Sequence, residues 1–305
     1  IDEAIPMKLG IALLETESQV RNDREIDIWF SPNLNFTNLS KKVKHIQTVH
    51  DLSFEFLPEC FTWKQRLWHW TLNPRRQCKR ADIIVTPSEN TKRDIVAKFQ
   101  ISNFKFQILR PGLKILNKDE SDTEKTKNNY NLPDKYILYL GTLEPRKNIE
   151  SIIQAYNISD LRTKNCELLV VGSRGWKHKK LIKLIQEMPG VEYLEYVNED
   201  KKKELYKKAA LFVFPSLYEG FGLPVLEAMS YNLPVITSNR SSLPEAAGQA
   251  GYLINPHNIL ELAKAMKLIL SDDNLRGMLI EQGKKQSQKF NWETSAQQFL
   301  NLICA

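Results

Sequence analysis

The chain is predicted to be an α/β protein built from two Rossmann-like, doubly wound parallel-sheet domains. Its 305 residues are enough for two domains of ordinary size. In both halves, short apolar runs of strand length alternate with segments of helical character, which is typical of a parallel sheet covered by helices on both faces. A polar segment at residues 116–134, almost without apolar side chains, separates the halves and is predicted to be the linker.

The first domain is predicted to occupy residues 1–115. Its strands are expected at residues 26–30, 43–49, 82–86 and 104–109, and its helices at residues 8–22, 62–80 and 88–99. Ser88 is the expected N-cap of the last of these helices, because a serine side chain accepts a hydrogen bond from the first helical turn.

The second domain is predicted at residues 135–288. Its strands are expected at residues 136–140, 167–171, 191–197, 211–214 and 234–237, and its helices from residue 148 and at residues 177–188, 199–209, 257–270 and 272–288. In a doubly wound sheet, ligands bind at the carboxyl ends of the strands, so the functional residues are expected there.

The composition favours a folded, cytoplasmic protein. Hydrophobic residues make up 42% of the chain, which suffices for a core, and no apolar run approaches the roughly 18–20 residues of a membrane span. Residues 1–20 mix charged with apolar side chains and do not resemble a secretory signal. The four cysteines lack the spacing of a structural zinc site, which fits a reduced compartment.

A basic segment in the first half suggests a partner. The chain has a net charge of +7, and residues 1–115 hold 18 Lys and Arg against 13 Asp and Glu. Tryptophans lie among basic residues at 63–70, and more basic residues follow at 75–80. Such a segment fits an anionic membrane surface, here the inner face of the plasma membrane, or a lipid-linked acceptor. A solvated helix whose tryptophans point into the core fits equally, whereas nucleic acid is not expected without a recognised binding motif.

The strongest local signal is a buried strand followed by a glycine-rich turn and a helix start, at residues 211–230. Pro224 suits the first turn of that helix, where its missing N–H group costs nothing. Free backbone N–H groups at a helix start form an anion site suited to a phosphate. The predicted donors are the amides of Phe221, Gly222 and Leu223.

Two glutamates flank this turn. Glu219 precedes the helix, and Glu227 lies about one turn into it. A carboxylate accepts two hydroxyl hydrogen bonds in one plane, which matches the vicinal diol of a sugar or ribose. A phosphate site between two such carboxylates suits a nucleoside-diphosphate sugar. In the alternative interpretation, the glutamates are solvated or interact with the helix dipole.

A second candidate site follows the first strand of the second domain. Gly141 and Thr142 begin its loop, and Arg146 and Lys147 follow. Arginine donates two parallel bonds to a pyrophosphate, and lysine acts as a point charge. A solvated surface pair is the alternative, but the shared sheet edge with the glutamates favours the functional interpretation. Gly172 ends the next strand, where it either shapes a nucleoside pocket or makes a plain turn.

These motifs resemble those of the retaining family 4 (group 1) glycosyltransferases of the GT-B fold, and most of all their mannosyltransferase-like bacterial branch. The resemblance covers about residues 26–300, and its motifs are the segments 50–54, 86–89, 141–148 and 216–224. It implies two Rossmann-like domains that face a cleft. It also implies that residues 289–305 form a closing helix that crosses back to the first domain.

The resemblance assigns roles to individual residues. The Arg–Lys pair would hold the donor diphosphate, Glu219 would position the donor sugar, and Glu227 would bind the ribose. His50 would contact the donor sugar near the reacting carbon, and Asp51 would orient that histidine or face the acceptor. Front-face attack assisted by the leaving phosphate needs no dedicated nucleophile, and no metal or other cofactor is expected.

Two departures from the family pattern are visible. The family begins with a strand and a glycine-rich loop near the donor phosphate, whereas the first forty residues here contain only Gly10. The first domain is therefore expected to lack its first strand and that loop, through truncation or reduction, which would weaken donor binding. Glu195 and Tyr196 stand where family members often carry glycine, so the backbone around the base is expected to differ.

The sequence thus predicts a retaining hexosyltransferase. It would move a hexose, with mannose as the first candidate, from a GDP- or UDP-linked sugar to a saccharide or lipid-linked saccharide in polysaccharide biosynthesis. The alternatives are a nucleotide-sugar epimerase of the same fold and a catalytically inactive nucleotide-sugar-binding protein. A nicotinamide-dependent dehydrogenase is excluded, since no GxGxxG motif with a following acidic residue occurs.

Overall fold

The computed structural model of the protein describes residues 10–11, 27–36, 42–102, 105–113 and 132–304. The chain divides into two compact units. The described residues up to Arg110, together with those from Ser295 onward, form the first unit, and Pro111–Thr294 forms the second. Each unit contains one parallel sheet with helices packed on it, so the α/β prediction is confirmed.

The first unit contains a five-stranded sheet in which the order along the sheet is the order along the chain. All four neighbouring pairs are parallel. The strands are β1 Gly10–Ile11, β2 Ile28–Ser31, β3 Lys44–Thr48, β4 Ile83–Thr86 and β5 Phe106–Ile108. Apolar side chains of the central strands and of the flanking helices form its core, including Ile84, Ile95 and Phe99.

Four α-helices lie within the described residues of this part of the chain: α1 Ser53–Phe56, α2 Trp63–Leu72, α3 Pro74–Arg80 and α4 Glu89–Phe99. Ser88 caps α4, because its Oγ accepts a hydrogen bond of 3.0 Å from the Thr91 amide, as predicted. Thr62 and Gln65 cap α2 reciprocally, since the side chain of each accepts from the backbone amide of the other.

Two predictions for this unit are wrong. Residues 8–22 are not a continuous helix, because Gly10–Ile11 is a strand that pairs with β2; the rest of that range lies outside the described residues. Residues 62–80 are two helices, because Pro74 has no N–H group to continue the first and Asn73 adopts φ 47° between them. The expected loss of a first strand and glycine-rich loop falls mostly on residues outside the described ranges.

The second unit contains a six-stranded parallel sheet. Its strands are β6 Tyr136–Leu140, β7 Glu167–Val171, β8 Val191–Leu194, β9 Leu211–Phe214, β10 Val235–Ser238 and β11 Gly251–Ile254. The order across the sheet is β11-β10-β9-β6-β7-β8. Strands β7 and β8 follow β6 on one side of it, and strands β9, β10 and β11 follow in order on its other side. The topological switch point therefore lies between β6 and β9.

Every residue of β9 and β10 is buried, as expected for central strands covered on both faces. β11 was not predicted, because four residues at a sheet edge carry too short a pattern to separate from a loop. The helices of the unit are α5 Ile149–Ile158, α6 Lys179–Glu187, α7 Glu199–Lys208, α8 Leu223–Ser230, α9 Leu243–Ala247, α10 Ile259–Ser271 and α11 Asp273–Ser287. No helix within the described ranges has the length and hydropathy that a bilayer crossing requires.

The final helix, α12, spans Trp292–Cys304. Its residues from Ser295 onward belong to the first unit. There, Phe299 packs against Phe30 of β2 with a ring separation of 4.7 Å, and the Ser295 hydroxyl donates to the Arg110 carbonyl. The linker predicted at residues 116–134 lies mostly outside the described residues.

Candidate active site

The loops that follow β6 and β9 lie side by side at the switch point of the second sheet, because their strands are neighbours. The Leu217 amide donates to the Arg146 carbonyl at 2.9 Å, which joins the two loops through their backbones. The Asn148 side chain donates to the carbonyls of Pro215 and Pro256, at 3.2 and 2.8 Å. The predicted cations and the predicted glutamate are thus held at one sheet edge.

Glu219 lies between the two predicted cations. Its Oε1 accepts from Lys147 Nζ at 2.7 Å, and its Oε2 accepts from Arg146 Nη1 at 2.9 Å. The residue is only 8% exposed, so these contacts form a buried, charge-assisted cluster. The sequence placed the three residues at one edge, but it did not indicate that they bind one another.

The protonation state of Glu219 follows from this cluster. Burial by itself would raise the pKa of the carboxyl, but the adjacent Lys147 and Arg146 outweigh that effect and hold the pKa below its ordinary value of 4.5. Glu219 is therefore a carboxylate at neutral pH, available as a hydrogen-bond acceptor and not as a general acid.

Glu144 is a further member of the cluster that the sequence did not single out. Its carboxylate binds Arg146 Nη2 at 2.6 Å, and Arg146 Nη1 also donates to the Tyr218 carbonyl at 2.8 Å. Burial raises the pKa of Glu144, against the lowering effect of Arg146 and Lys147. The guanidinium is thus oriented from both sides. The signal for Glu144 was its position in the same strand-end loop as the cations.

Two serines that follow β10 hold the backbone of the glycine-rich turn. Ser241 Oγ accepts from the Glu219 amide at 2.9 Å. The buried Ser242 donates its hydroxyl to the carbonyls of Glu219 and Phe221, at 2.7 and 2.9 Å. Sequence reasoning missed both, although their place after a strand of the same sheet was a usable signal.

The turn itself requires glycine at its helix start. Gly222 precedes α8 with φ 113°, and a Cβ there would lie 2.8 Å from the Leu243 side chain. Phe221 is buried and packs edge-on against Phe290, with ring centroids 5.4 Å apart. Its side chain therefore belongs to the core, and its backbone is the part that a ligand would contact. Leu223 is the first residue of α8, so Pro224 lies in the first turn of that helix, as predicted.

Gly141 and Gly172 end neighbouring strands and approach each other closely. Gly172 has φ 149°, and a Cβ there would lie 2.0 Å from the Gly141 carbonyl oxygen. The Thr142 carbonyl accepts from the Tyr139 hydroxyl at 3.2 Å. The two glycines therefore have a structural reason for their identity, independent of any ligand.

Glu227 forms a second cluster, separate from that of Glu219. Its carboxylate accepts from Lys202 Nζ at 2.9 Å and from the Tyr206 hydroxyl at 3.0 Å, both on α7. Burial and the adjacent Glu227 raise the pKa of Tyr206 well above its ordinary value, so the phenol remains a neutral donor. The carboxylate stays partly exposed and retains acceptor capacity, since each oxygen has two lone pairs.

A family model described as "Glycosyl transferases group 1" matches residues 120–286, more than half of the chain. The chain belongs to this family. The O-antigen chain mannosyltransferase B of Escherichia coli is 31% identical over 281 residues, which cover 90% of this chain and 73% of that protein. The serotype-specific mannosyltransferase WbdA of Escherichia coli is 28% identical over 263 residues, 83% of this chain and 32% of WbdA. This glycosyltransferase thus spans about a third of WbdA.

Solved structures agree on the fold of this glycosyltransferase. Sucrose-phosphate synthase from Thermosynechococcus elongatus matches with a TM-score of 0.69 and 24% identity, over 86% of this chain and 67% of that one. Anabaena HepE, in complex with UDP and glucose, matches with a TM-score of 0.71 and 16% identity, over 91% of this chain and 78% of that one. The GT-B prediction is therefore confirmed.

In the first unit of the glycosyltransferase, His50 and Asp51 follow β3. His50 is exposed, and its Nε2 lies 2.9 Å from the Pro32 carbonyl oxygen. Asp51 Oδ1 accepts from the amide and the hydroxyl of Ser53, at 2.8 and 2.6 Å. Asp51 thus holds the start of α1. The roles of both residues toward donor and acceptor stay predictions.

A small cavity of the glycosyltransferase lies beside the loop that follows β6 and carries Arg146 and Lys147. It has a volume of about 100 Å³ and is lined by residues of that loop, of α5 and of α6, including Glu144, Asn148 and His178. Pockets that bury a ligand are typically about 300–1,000 Å³. This cavity is therefore too small to hold a nucleotide-sugar.

Within the described ranges, no three His, Cys, Asp or Glu side chains come together in a way that could hold a metal ion. Metal independence stays a prediction.

Proposed function

We propose that this glycosyltransferase moves mannose from a nucleoside-diphosphate mannose to a saccharide or lipid-linked saccharide, in the synthesis of a surface polysaccharide, with retention at the anomeric carbon. The observation that carries the proposal is the buried cluster of Arg146, Lys147 and Glu219 at the switch point of the second sheet. The choice of mannose follows the related mannosyltransferases.

The proposed reaction develops negative charge on the departing diphosphate. Arg146, Lys147 and the amides of residues 221–223 would stabilise that charge, since donors fixed in advance lose little free energy to reorganisation. Lys147 has three N–H bonds and uses one on Glu219, so it can keep this contact and donate to a phosphate oxygen.

The two glutamates would bind the two diols of the donor. Glu219, a carboxylate through its cationic neighbours, would accept from hydroxyls of the sugar. Glu227, which Lys202 and Tyr206 hold on the face of α8, would accept from the ribose. Through the family resemblance, His50 is proposed to contact the sugar near the reacting carbon, and Asp51 to orient it or to face the acceptor. The acceptor hydroxyl would attack the face from which the diphosphate departs.

Calorimetric titration with GDP, UDP and ADP tests the donor site. We expect one nucleotide to bind, and its affinity to fall at least about a hundredfold in Arg146→Ala with Lys147→Ala, because two charge-assisted bonds of about 1.5–3 kcal/mol each are lost. Lys180→Gln with Lys183→Gln, on the exposed face of α6, is the matched control and should bind as the wild type does. Failure of all three nucleotides to bind would contradict the proposal.

Turnover of GDP-mannose and UDP-glucose, with and without a saccharide acceptor, tests the reaction. A transferase releases the nucleoside diphosphate only slowly when the acceptor is absent. NMR of the glycosylated product gives the anomeric configuration of the new linkage. Interconversion of the nucleotide-sugar without an acceptor would assign the site to an epimerase. Tight nucleotide binding without any turnover would assign it to an inactive binding protein.

A further inference from the structure

Helix α2 carries an apolar stripe on its solvent side. Trp63, Leu67 and Trp70 lie at spacings of four and three residues, so they share one face of the helix. They are 69, 50 and 77% exposed, respectively. Large apolar side chains rarely form a continuous exposed row in a soluble protein, and such a row marks an interaction surface.

The opposite face of α2 is fixed to the first unit. Leu72 is buried, and the ring of His69 stacks on Phe54 with centroids 4.1 Å apart. Gln65, on the same side, is held by the capping contacts with Thr62. Because this side is anchored, the helix cannot turn its tryptophans inward without losing its own packing. The interpretation in which the tryptophans of residues 63–70 point into the core is therefore wrong.

Two further exposed aromatic residues lie outside the stripe. Trp68 projects from the side of α2, and Phe36 meets it edge-on with ring centroids 5.5 Å apart. Both are more than half exposed. The first unit thus exposes aromatic side chains on a second side of α2, and aromatic residues of this kind, especially tryptophan, are enriched at the boundary between lipid and water.

The charged side chains of α2 and α3 have one sign. Residues 60–81 contain no Asp or Glu and six Lys or Arg, namely Lys64, Arg66, Arg75, Arg76, Lys79 and Arg80. All six are exposed. Burial lowers the pKa of His69, so this inward residue adds no charge at neutral pH. The combination of a tryptophan-containing stripe with six exposed cations on α2 and α3 is complementary to an anionic surface with an apolar interior.

We propose that the face formed by α2 and α3 binds the surface of an anionic phospholipid bilayer. Trp63, Leu67 and Trp70 enter the boundary between headgroups and acyl chains, and the cations of α3 contact the headgroup phosphates. A second copy of the chain is a poorer occupant, because it would bring the same six positive charges to the contact. Nucleic acid offers the charge but no hydrocarbon for Leu67. The inference does not depend on the donor chemistry of the second unit.

Vesicle flotation of the full chain tests the proposal. We expect the chain to float with phosphatidylcholine vesicles that contain about 30% phosphatidylglycerol, and not with phosphatidylcholine alone. Binding should weaken when the salt concentration rises from about 0.1 to about 1 M, because the Debye length falls from about 10 to about 3 Å. Tryptophan emission should shift to the blue on binding, and brominated acyl chains should quench it.

Two pairs of substitutions separate the contributions. Arg75→Gln with Arg76→Gln should lower the partition coefficient roughly thirtyfold, since each cation near an anionic surface contributes about fivefold. Trp63→Ser with Trp70→Ser should reduce both the blue shift and flotation, although Trp68 remains on the same helix. The matched controls are Lys180→Gln with Lys183→Gln for charge, and Leu260→Ser with Met278→Ser for exposed apolar residues. Both controls should behave as the wild type.

Several results would overturn the proposal. These are equal flotation on neutral and anionic vesicles, no flotation on either, or the same loss in the controls as in the α2 and α3 variants. A dimer in sedimentation that disappears in the tryptophan variant would assign the face to a second copy, and tight RNA binding that depends on the same residues would assign it to nucleic acid. Circular dichroism checks that each variant is folded. Vesicle binding without nucleotide binding would contradict the proposed function and leave this inference standing.

Discussion

Glu219 lies at the centre of the buried charged cluster of the second unit. Its carboxylate joins Lys147 and Arg146, while its amide and its carbonyl bind the serines that follow β10. A side chain and a backbone held on all sides have a defined geometry before any ligand arrives. Changes at this residue are therefore expected to affect both stability and donor binding.

Glu219→Gln should change how stability depends on pH. The folded-state pKa of Glu219 is lowered, so its ionised form stabilises the fold at pH values above the ordinary value of 4.5. This contribution disappears as the pH falls through the lower, folded-state pKa. At pH 7 the variant should lose about 3 kcal/mol, because two buried cations lose their partner. Urea unfolding at pH 7 and at pH 3 measures the difference, which should shrink in acid; a gap independent of pH would contradict the prediction.

Ser242→Ala should loosen the glycine-rich turn. The hydroxyl donates to two carbonyls, and its removal leaves them without that partner in a buried site, at a cost of about 1–3 kcal/mol. Thermal unfolding gives the loss of stability, and nucleotide titration gives the effect on the turn. Ser271→Ala, at the exposed end of α10, is the control and should be nearly neutral. Equal effects of the two substitutions would show that the Ser242 contacts contribute little.

At the scale of elements, alanine substitution of two glycines tests the turn between β9 and α8: one glycine lies in this turn, and the other is a control in α11. Gly222→Ala places a Cβ at φ 113° and 2.8 Å from Leu243, so we expect a loss of more than about 1 kcal/mol and weaker nucleotide binding. Gly277 lies inside α11 with no atom within 4 Å of an added Cβ. Gly277→Ala should therefore stabilise the protein by about 1 kcal/mol. The two melting temperatures should move in opposite directions, and a shift of the same sign would contradict the argument.

Sequence patterns predicted most elements of the second unit, because buried strands such as Leu211–Phe214 are short apolar runs with clear ends. Sequence patterns gave a wrong prediction where one or two residues interrupt a segment whose apolar periodicity is otherwise helical. Asn73 and Pro74 divide a segment whose composition is helical throughout. The side of α2 that faces solvent could not be predicted either, since the row of Trp63, Leu67 and Trp70 is the same pattern that a buried helix presents.

At the scale of the whole molecule, the switch point explains which parts of the site could be predicted. Arg146 and Glu219 are 73 positions apart, and adjacency of β6 and β9 brings their loops together. The rule that ligands bind at strand ends placed both residues at one edge. Their direct ion pair depends on side-chain packing, including that of Glu144. The periodicity of apolar residues in the sequence gives no information about such packing.

Binding of the nucleotide part of the donor should be confined to the second unit. A ligand that binds only the folded second unit stabilises it by about 2.7 kcal/mol at one hundred times its dissociation constant. We expect hydrogen exchange to slow at residues 141–148 and 215–223 when the nucleotide identified by titration is added. The described amides of the first unit, such as those of β3, serve as the internal control. Equal protection in both units would contradict a site built from the second sheet.

The ion pairs of the second unit have a consequence for ligand discrimination. With both carboxyls ionised, Glu144 and Glu219 balance the formal charges of Arg146 and Lys147, so the cluster by itself presents little net field to solution. Small ions such as chloride or inorganic phosphate would gain little from entering it. A diphosphate that also reaches the amides of the turn gains from several contacts at once, so selectivity would come from the shape of the anion more than from its charge.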